Sequence, residues 1–443
     1  MQNTEMKIEE RMQNMKNFYL KVGDMIEQLP DAIPAEVKAL LKDKILGDKE
    51  LKKLMCGVDS HRPPRIFMIG RTGVGKSSLI NALCGAYVAN VSDISSCTDT
   101  AYSHIYKDNE RVLLEILDTR GIAESTPTDE KTTAEDMLLD QISEFSPDAA
   151  IFMLSCASRD YINEDAAFLK KVAKRYADEN VGQELPIIVV LNKCDMVPPK
   201  SADLTSEKKL KNIERIIQNC KTIIGSQKLK VQTIIPITSY MEWKTETGED
   251  EDVLTAEEIN TLPKSDIHKL QISFDGRYNI DKLFTILEES IEDLEAKMGL
   301  RMSLRLEEVV KKFANHLIKI FSAISATVAL TPVPVSDIYI LTIIECILVA
   351  LIAALSGREV SLDTAKKFVL SLGGVVGAGF GFRLAAQQSS KLINLIFPGA
   401  GSAISSVVAV SGTTLIGKAA ISYFIDGKDL AEIKKLLNES KDG

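Results

Sequence analysis

The chain predicts an α/β fold: a mostly parallel sheet with helices on both faces, preceded by a helical extension and followed by an all-α hydrophobic domain. Three observations carry this. Between residues 63 and 298, short apolar β-rich runs alternate with helical stretches, the pattern that builds a parallel sheet. One strand passes to its helix through a glycine-rich turn. From about Leu300, apolar residues recur at helical spacing and then merge into long apolar runs. The domains so drawn are 1–62, 63–298 and 299–443.

Residues 1–62 read as helices. Met6 to Leu29 is rich in Met, Glu and Lys, and Pro34-Ala35-Glu36-Val37 opens a second helix running past Leu41. Bracing of the α/β domain is the expected role, with dimerisation as the alternative. Arg65 to Ile69 is a short buried strand, and Ser77 to Leu83 a helix. Between them Gly70-Arg71-Thr72-Gly73-Val74-Gly75-Lys76-Ser77-Ser78 holds the complete G-x-x-x-x-G-K-[ST] phosphate-binding pattern in its required strand-turn-helix setting. The glycines let successive amide N–H groups curl toward phosphate oxygens at the positive end of the helix dipole. Lys76 is placed to bridge the β- and γ-phosphates, and Ser77 to offer a hydroxyl to Mg²⁺.

Val112 to Leu117 is a further apolar strand that delivers Asp118-Thr119-Arg120-Gly121. Asp118 fits the second carboxylate of the metal shell, and the Gly121 amide fits a γ-phosphate sensor. Ile151 to Ser155 is the central strand and Glu164 to Tyr176 the helix after it. Ile187 to Leu191 ends in Asn192-Lys193-Cys194-Asp195. A carboxylate at Asp195 accepts from guanine N1–H and the exocyclic amine, neither of which adenine presents, so the pattern selects GTP and GDP over ATP. Asn192 braces the loops around the base, and the Lys193 stem lies along the ring.

The order G-x-x-x-x-G-K-S, D-x-x-G, N-K-x-D resembles a translation-factor-class GTPase of the Era-like branch (TrmE, Era, EngA) over residues 63 to 295. The resemblance implies a first-switch threonine closing over Mg²⁺ and the γ-phosphate: Thr98, with Thr100 as a close rival. It places the base-loop motif at Thr238-Ser239, after a strand Gln232 to Ile237, with serine where the family has alanine. Lys76, Thr98 and Gly121 are thereby the catalytic set, and Ser77, Thr98 and Asp118 the metal set. Ile122 follows Gly121 where Ras-like enzymes carry the glutamine that orients water. Gly73 stands where potassium-stimulated relatives have asparagine. Hydrolysis is expected to be slow unless an activating protein or a second copy supplies a group in trans. Arg71 and Arg120 lie near the γ-phosphate, and both read more simply as solvated surface charges.

A formal net charge of −9 and a pI near 5.3 argue against nucleic acid as the main partner. Seven cysteines lack C-x-x-C spacing and four histidines lie far apart, so the chain is assigned to a reducing cytoplasm and no zinc site is proposed. Trp243 to Asn279 is an acidic insertion before the closing helix Ile280 to Ile291. A long amphipathic helix carrying Leu306, Val309, Val310, Phe313, Leu317, Phe321 and Ile324 then leads out.

Ile338 to Ser356 is a 19-residue apolar run broken only by Glu345, and Leu392 to Gly417 is a 26-residue stretch without charge. With its Pro332-x-Pro334-x-x-Asp337 turn, Gly357 and Gly412-to-Ala420 segment, this tail resembles the C-terminal domain of some bacterial Era-like GTPases and YcjF-type proteins. Both runs approach bilayer-spanning length. Glu345 would cost roughly 2–3.5 kcal/mol in a span, and the second run is rich in Ser and Thr. Attachment to the inner face of a membrane through residues 299–424, by insertion or hairpin, is the expectation; a soluble bundle with buried central helices explains the same letters. The function expected is a GTP-hydrolysing switch controlling this hydrophobic domain. The alternatives are a dynamin-like or immunity-related self-assembling GTPase and a non-hydrolysing GTP-bound scaffold.

Overall fold

The computed structural model describes residues 33–52, 61–88, 93–96, 101–108, 111–119, 131–157, 162–180, 182–246, 252–267, 269–330, 337–356, 361–372 and 400–439, with Arg358 and a few positions from 17 to 28. They form two compact units, residues 61–304 and residues 1–60 with 305–443.

In the first unit the strands are β1 (Arg65–Ile69), β2 (Asp93–Ser96), β3 (Ala101–Asp108), β4 (Arg111–Thr119), β5 (Ala149–Ser155), β6 (Ile187–Asn192) and β7 (Thr233–Pro236), in the order β2-β3-β4-β1-β5-β6-β7. β2 and β3 pair antiparallel; β4, β1, β5, β6 and β7 run parallel. This is the α/β class read from the alternation of runs. The central strands β1, β5 and β6 are almost wholly buried, as a sheet covered on both faces requires. Four of the covering helices are α2 (Lys76–Cys84), α3 (Lys131–Phe145), α4 (Ile162–Glu179) and α5 (Glu207–Ser226), and the last two turn apolar stripes such as Phe168-Leu169-Val172 and Ile213-Ile217-Ile224 to the core.

The insertion folds on itself. β8 (Met241–Lys244) pairs antiparallel with β9 (Gln271–Asp275), and Trp243 packs with Ile259 of α6 (Ala256–Thr261) and Ile267 of α7 (Lys264–Ile267). The chain then makes α8 (Ile280–Ser290) and α9 (Leu294–Leu304), and α9 packs against β4. Gly299 lets α9 also approach the segment leading into β1, because a Cβ there would lie 1.8 Å from the Arg62 carbonyl oxygen.

In the second unit, α1 (Ala35–Leu46) follows Pro34 and ends at Gly47. α1 packs on α10 (Leu306–Leu330), and His316 of α10 meets Asp48 at 2.9 Å and Glu50 at 2.8 Å. The single long helix expected from Leu300 is two, α9 and α10, separated at Arg305. α11 (Asp337–Leu355), α12 (Leu362–Ser371), α13 (Ala400–Ala420) and α14 (Leu430–Glu439) complete the unit.

Glu345, the one charge in the apolar run of α11, is fully buried. The Thr413 hydroxyl of α13 donates to Ser325 Oγ of α10 at 2.8 Å and lies 3.5 Å from Glu345 Oε1. Ser322 and Thr414 pair alongside at 2.9 Å. Among the described residues no helix is long and apolar enough to cross a membrane. The polar letters that weakened both runs as spans meet one another between three helices, satisfying in a bundle core what hydrocarbon would leave costly.

Candidate nucleotide site

The register of β1 with β4 sets Met68 beside Asp118 and Ile69 beside Thr119, so the loop leaving β1 and the carboxylate ending β4 share one end of the sheet. Gly75 is the N-cap of α2, with φ 97° and ψ 34°, and a Cβ there would lie 2.4 Å from Asn192 Nδ2. Only glycine accepts both that left-handed backbone and that closeness. The Lys76 ammonium bonds the Gly70 carbonyl and sits 3.6 Å from Asp118 Oδ1. Thr72, Gly73, Ser77 and Ser78 are exposed, whereas Val74 is anchored in the core.

β6 pairs with β5 so that Asn192 lies opposite Ser155. The Asn192 side chain is buried, donating from Nδ2 to the Val74 carbonyl at 2.9 Å and to Ser239 Oγ at 3.0 Å, while Oδ1 accepts from the Ser239 amide at 3.2 Å. Lys193 takes a left-handed backbone, φ 64°, and its ammonium donates to the Gly73 carbonyl at 2.6 Å. The Asp195 amide donates to Thr238 Oγ1 at 3.3 Å. Asn192, Lys193, Asp195, Thr238 and Ser239 therefore converge, and two of them are bonded directly to the phosphate loop. Ser239, where the family pattern has alanine, uses its hydroxyl to hold the Asn192 carboxamide. Thr98, Thr100, Arg120, Gly121 and Ile122 lie outside the described residues.

Arg71 is not the solvated charge expected. Its guanidinium faces the first turn of α4, 3.7 Å from buried Asp165 and 3.8 Å from Glu164. Sequence reasoning passed over Asp165; its signal is an acid in a helix's first turn, where the dipole favours it. It passed over Cys156 and Cys194 too, buried with sulfurs 3.3 Å apart. That contact, with burial, drives the Cys194 thiol far up from its ordinary pKa.

For Mg²⁺ the fit rests on donor chemistry. An exposed Ser77 hydroxyl in the first turn of α2 and the Asp118 carboxylate beside Lys76 are hard oxygen donors, few enough for an ion that keeps several waters. No cluster of three His, Cys, Asp or Glu suited to another metal occurs among the described residues.

With its loops gathered at the carboxyl ends of β1, β4 and β6, the unit of residues 61–304 has the P-loop GTPase fold. Residues 65–193 match the family described as 50S ribosome-binding GTPase, and residues 295–440 match a domain of unknown function, DUF697, as in the YcjF-type arrangement. The GTPase Der of Prochlorococcus marinus (strain MIT 9515) is 39% identical over 100 residues, 23% of this chain and 18% of Der. The tRNA modification GTPase MnmE of Pelagibacter ubique (strain HTCC1062) is 30% identical over 201 residues, 45% of this chain and 40% of MnmE. The chain thus spans well under two thirds of these relatives' lengths. Among solved structures, the LeoA bacterial dynamin GTPase from ETEC aligns with 95% of this chain and 69% of its own at 14% identity and a TM-score of 0.35.

Proposed function

We propose that the chain is a GTP-binding and GTP-hydrolysing switch whose nucleotide state controls its C-terminal helical unit. The observation that carries this is the bonding of the base-reading segment to the phosphate loop, Asn192 to Val74 and Lys193 to Gly73, which makes one preformed cradle of base and phosphate recognition. Asp195 reads the guanine edge. Lys76 stabilises charge on the transferring phosphoryl group; Ser77, Asp118 and Thr98 would hold Mg²⁺, which would supply further neutralisation of that charge. With Ile122 in the position of a water-orienting glutamine, turnover is slow until an activating protein or a second copy contributes a group. The path to the helical unit starts at β4, which carries Asp118 and supports α9; α10 follows α9 across Arg305. The chain works in the cytoplasm, associated with the inner face of a membrane. In support of surface contact, α12 exposes Leu362 and Leu370 beside Lys366 and Lys367, an apolar and basic pairing suited to anionic headgroups.

The test combines three variants. Asp195→Asn exchanges preference for GTP over ATP for preference for xanthosine triphosphate, and Lys76→Ala abolishes hydrolysis. Thr98→Ala keeps GDP affinity but removes any difference in liposome sedimentation or oligomer size between GDP and a non-hydrolysable GTP analogue. Unaltered guanine preference in Asp195→Asn removes Asp195 from the site; wild-type protein that behaves identically with both nucleotides is a scaffold, not a switch.

A further inference from the structure

Beneath the base-reading loop two thiols face each other. Cys156 follows the last residue of β5, and Cys194 stands between Lys193 and Asp195. Their sulfurs lie 3.3 Å apart, Cys194 fully buried and Cys156 7% exposed beside the exposed Ala157. The pairing of β5 with β6 makes this meeting a property of the fold. Ser155 lies opposite Asn192, and the Cys156 amide donates to the Asn192 carbonyl at 2.8 Å. The Cys194 amide in turn donates to the Ile237 carbonyl at 3.2 Å, and its thiol donates to the Leu191 carbonyl at 3.3 Å.

We propose that Cys156 and Cys194 form a reversible disulfide when the protein meets a peroxide, and that this bond pulls the base loop away from its guanine-reading position. Cys156, the more exposed of the two, reacts first. Its sulfur attacks a peroxide oxygen, the O–O bond breaks, and the thiol proton leaves with the departing hydroxide as water. The Cys194 sulfur then attacks the sulfenic acid so formed; the S–S bond forms, the S–O bond breaks, and the Cys194 proton leaves with the hydroxyl as a second water. Two thiols thus give up two electrons and two protons, and one hydrogen peroxide becomes two waters. Burial, and the contact that keeps the Cys194 thiol protonated, slow the step, so the pair answers sustained oxidant. In a reducing compartment such a bond is transient.

The geometry of the bond sets its effect. A disulfide holds its sulfurs about 2.05 Å apart, so closure draws this pair together by roughly 1.2 Å. Cys156 continues a buried central strand, whereas Cys194 begins a three-residue 3₁₀ turn, and the turn yields. Its neighbours are the residues that matter to the nucleotide. The Lys193 ammonium holds the Gly73 carbonyl at 2.6 Å, and Asp195 is tied through its amide to Thr238. The effect on nucleotide rests on the guanine-binding reading above; formation of the bond does not.

The experiment exposes the full chain to hydrogen peroxide for about an hour, maps its peptides by mass spectrometry and titrates a parallel sample with fluorescent GDP. The peptide carrying Cys156 is expected to be joined to the one carrying Cys194, and dithiothreitol to part them. GDP affinity is expected to fall about tenfold and to recover with the same reductant, which does not reverse methionine oxidation. Cys156→Ser and Cys194→Ala are each expected to lack the link and to keep GDP affinity within about twofold through the treatment. Absence of the joined peptide from the treated wild-type chain would overturn the proposal. A joined peptide with unchanged GDP affinity would overturn the coupling to the base loop, as would an equal loss of affinity in Cys156→Ser. Failure of the untreated wild-type chain to bind GDP would count against the nucleotide reading, with the peptide map still deciding the bond.

Discussion

Replacing Asn192 by alanine tests whether the two recognition loops are one physical object. The residue is 1% exposed and lies between the phosphate loop and the base loop. Truncation deletes its bonds to the Val74 carbonyl (2.9 Å), the Ser239 hydroxyl (3.0 Å) and the Ser239 amide (3.2 Å). Two buried backbone groups, the Val74 carbonyl and the Ser239 N–H, then lose a partner, at about 1–3 kcal/mol each. The sum, roughly 2–6 kcal/mol, is a large share of the ~5–15 kcal/mol that holds a domain folded. With a urea slope near 2–3 kcal/mol/M, the unfolding midpoint should fall by about 1–3 M. Trp243 lies in the same unit and gives the fluorescence signal. GDP affinity should fall as well, since the phosphate loop loses its tie to the base loop. A midpoint within about 0.3 M of wild type, together with unchanged GDP affinity, would refute that tie.

Gly299→Ala sets a methyl 1.8 Å from the Arg62 carbonyl, so α9 must withdraw from the segment leading into β1 and strain the bond from the Arg62 amide to the Glu295 carbonyl. A loss of about 1–3 kcal/mol in the same urea titration is expected, as for other overpacked sites, and an unchanged midpoint would argue against that close contact. Burial pushes the Cys220 and Cys346 thiols up to about 11. At pH 8 only about one in a thousand is thiolate, so iodoacetamide should label both far more slowly in native than in urea-unfolded protein, read by peptide mass spectrometry. Because the folded values lie above the unfolded ones, the stability these thiols contribute is full below the unfolded value and is lost as pH rises toward about 11. Equal labelling of native and unfolded protein would contradict their burial.

Most of the α/β domain was legible because its signals are local. An apolar run of five to seven residues is a buried strand wherever helices cover both faces, and β1, β5 and β6 are such runs. The turn of the phosphate loop was legible at Gly75, which takes a backbone open only to glycine. Arg71 was misread because its partner Asp165 lies 94 positions on, and no local pattern joins them. Trp243 to Asn279 was opaque for a related reason: its ribbon is held together by tertiary contacts of Trp243 with Ile259 and Ile267, not by a long periodic face. The helical tail shows a different limit. Periodicity reports that a helix is apolar all round but not whether lipid or other helices surround it, and hydropathy scores Ser325, Glu345 and Thr413 as three separate defects. In the fold they are neighbours contributed by three helices, so each lowers the cost of burying the others. Removing Glu345 alone would take from Thr413 the carboxylate 3.5 Å away and leave a gap among three packed helices, whereas in a bilayer span the same removal would only help. The sign of that one substitution distinguishes a bundle core from a membrane segment.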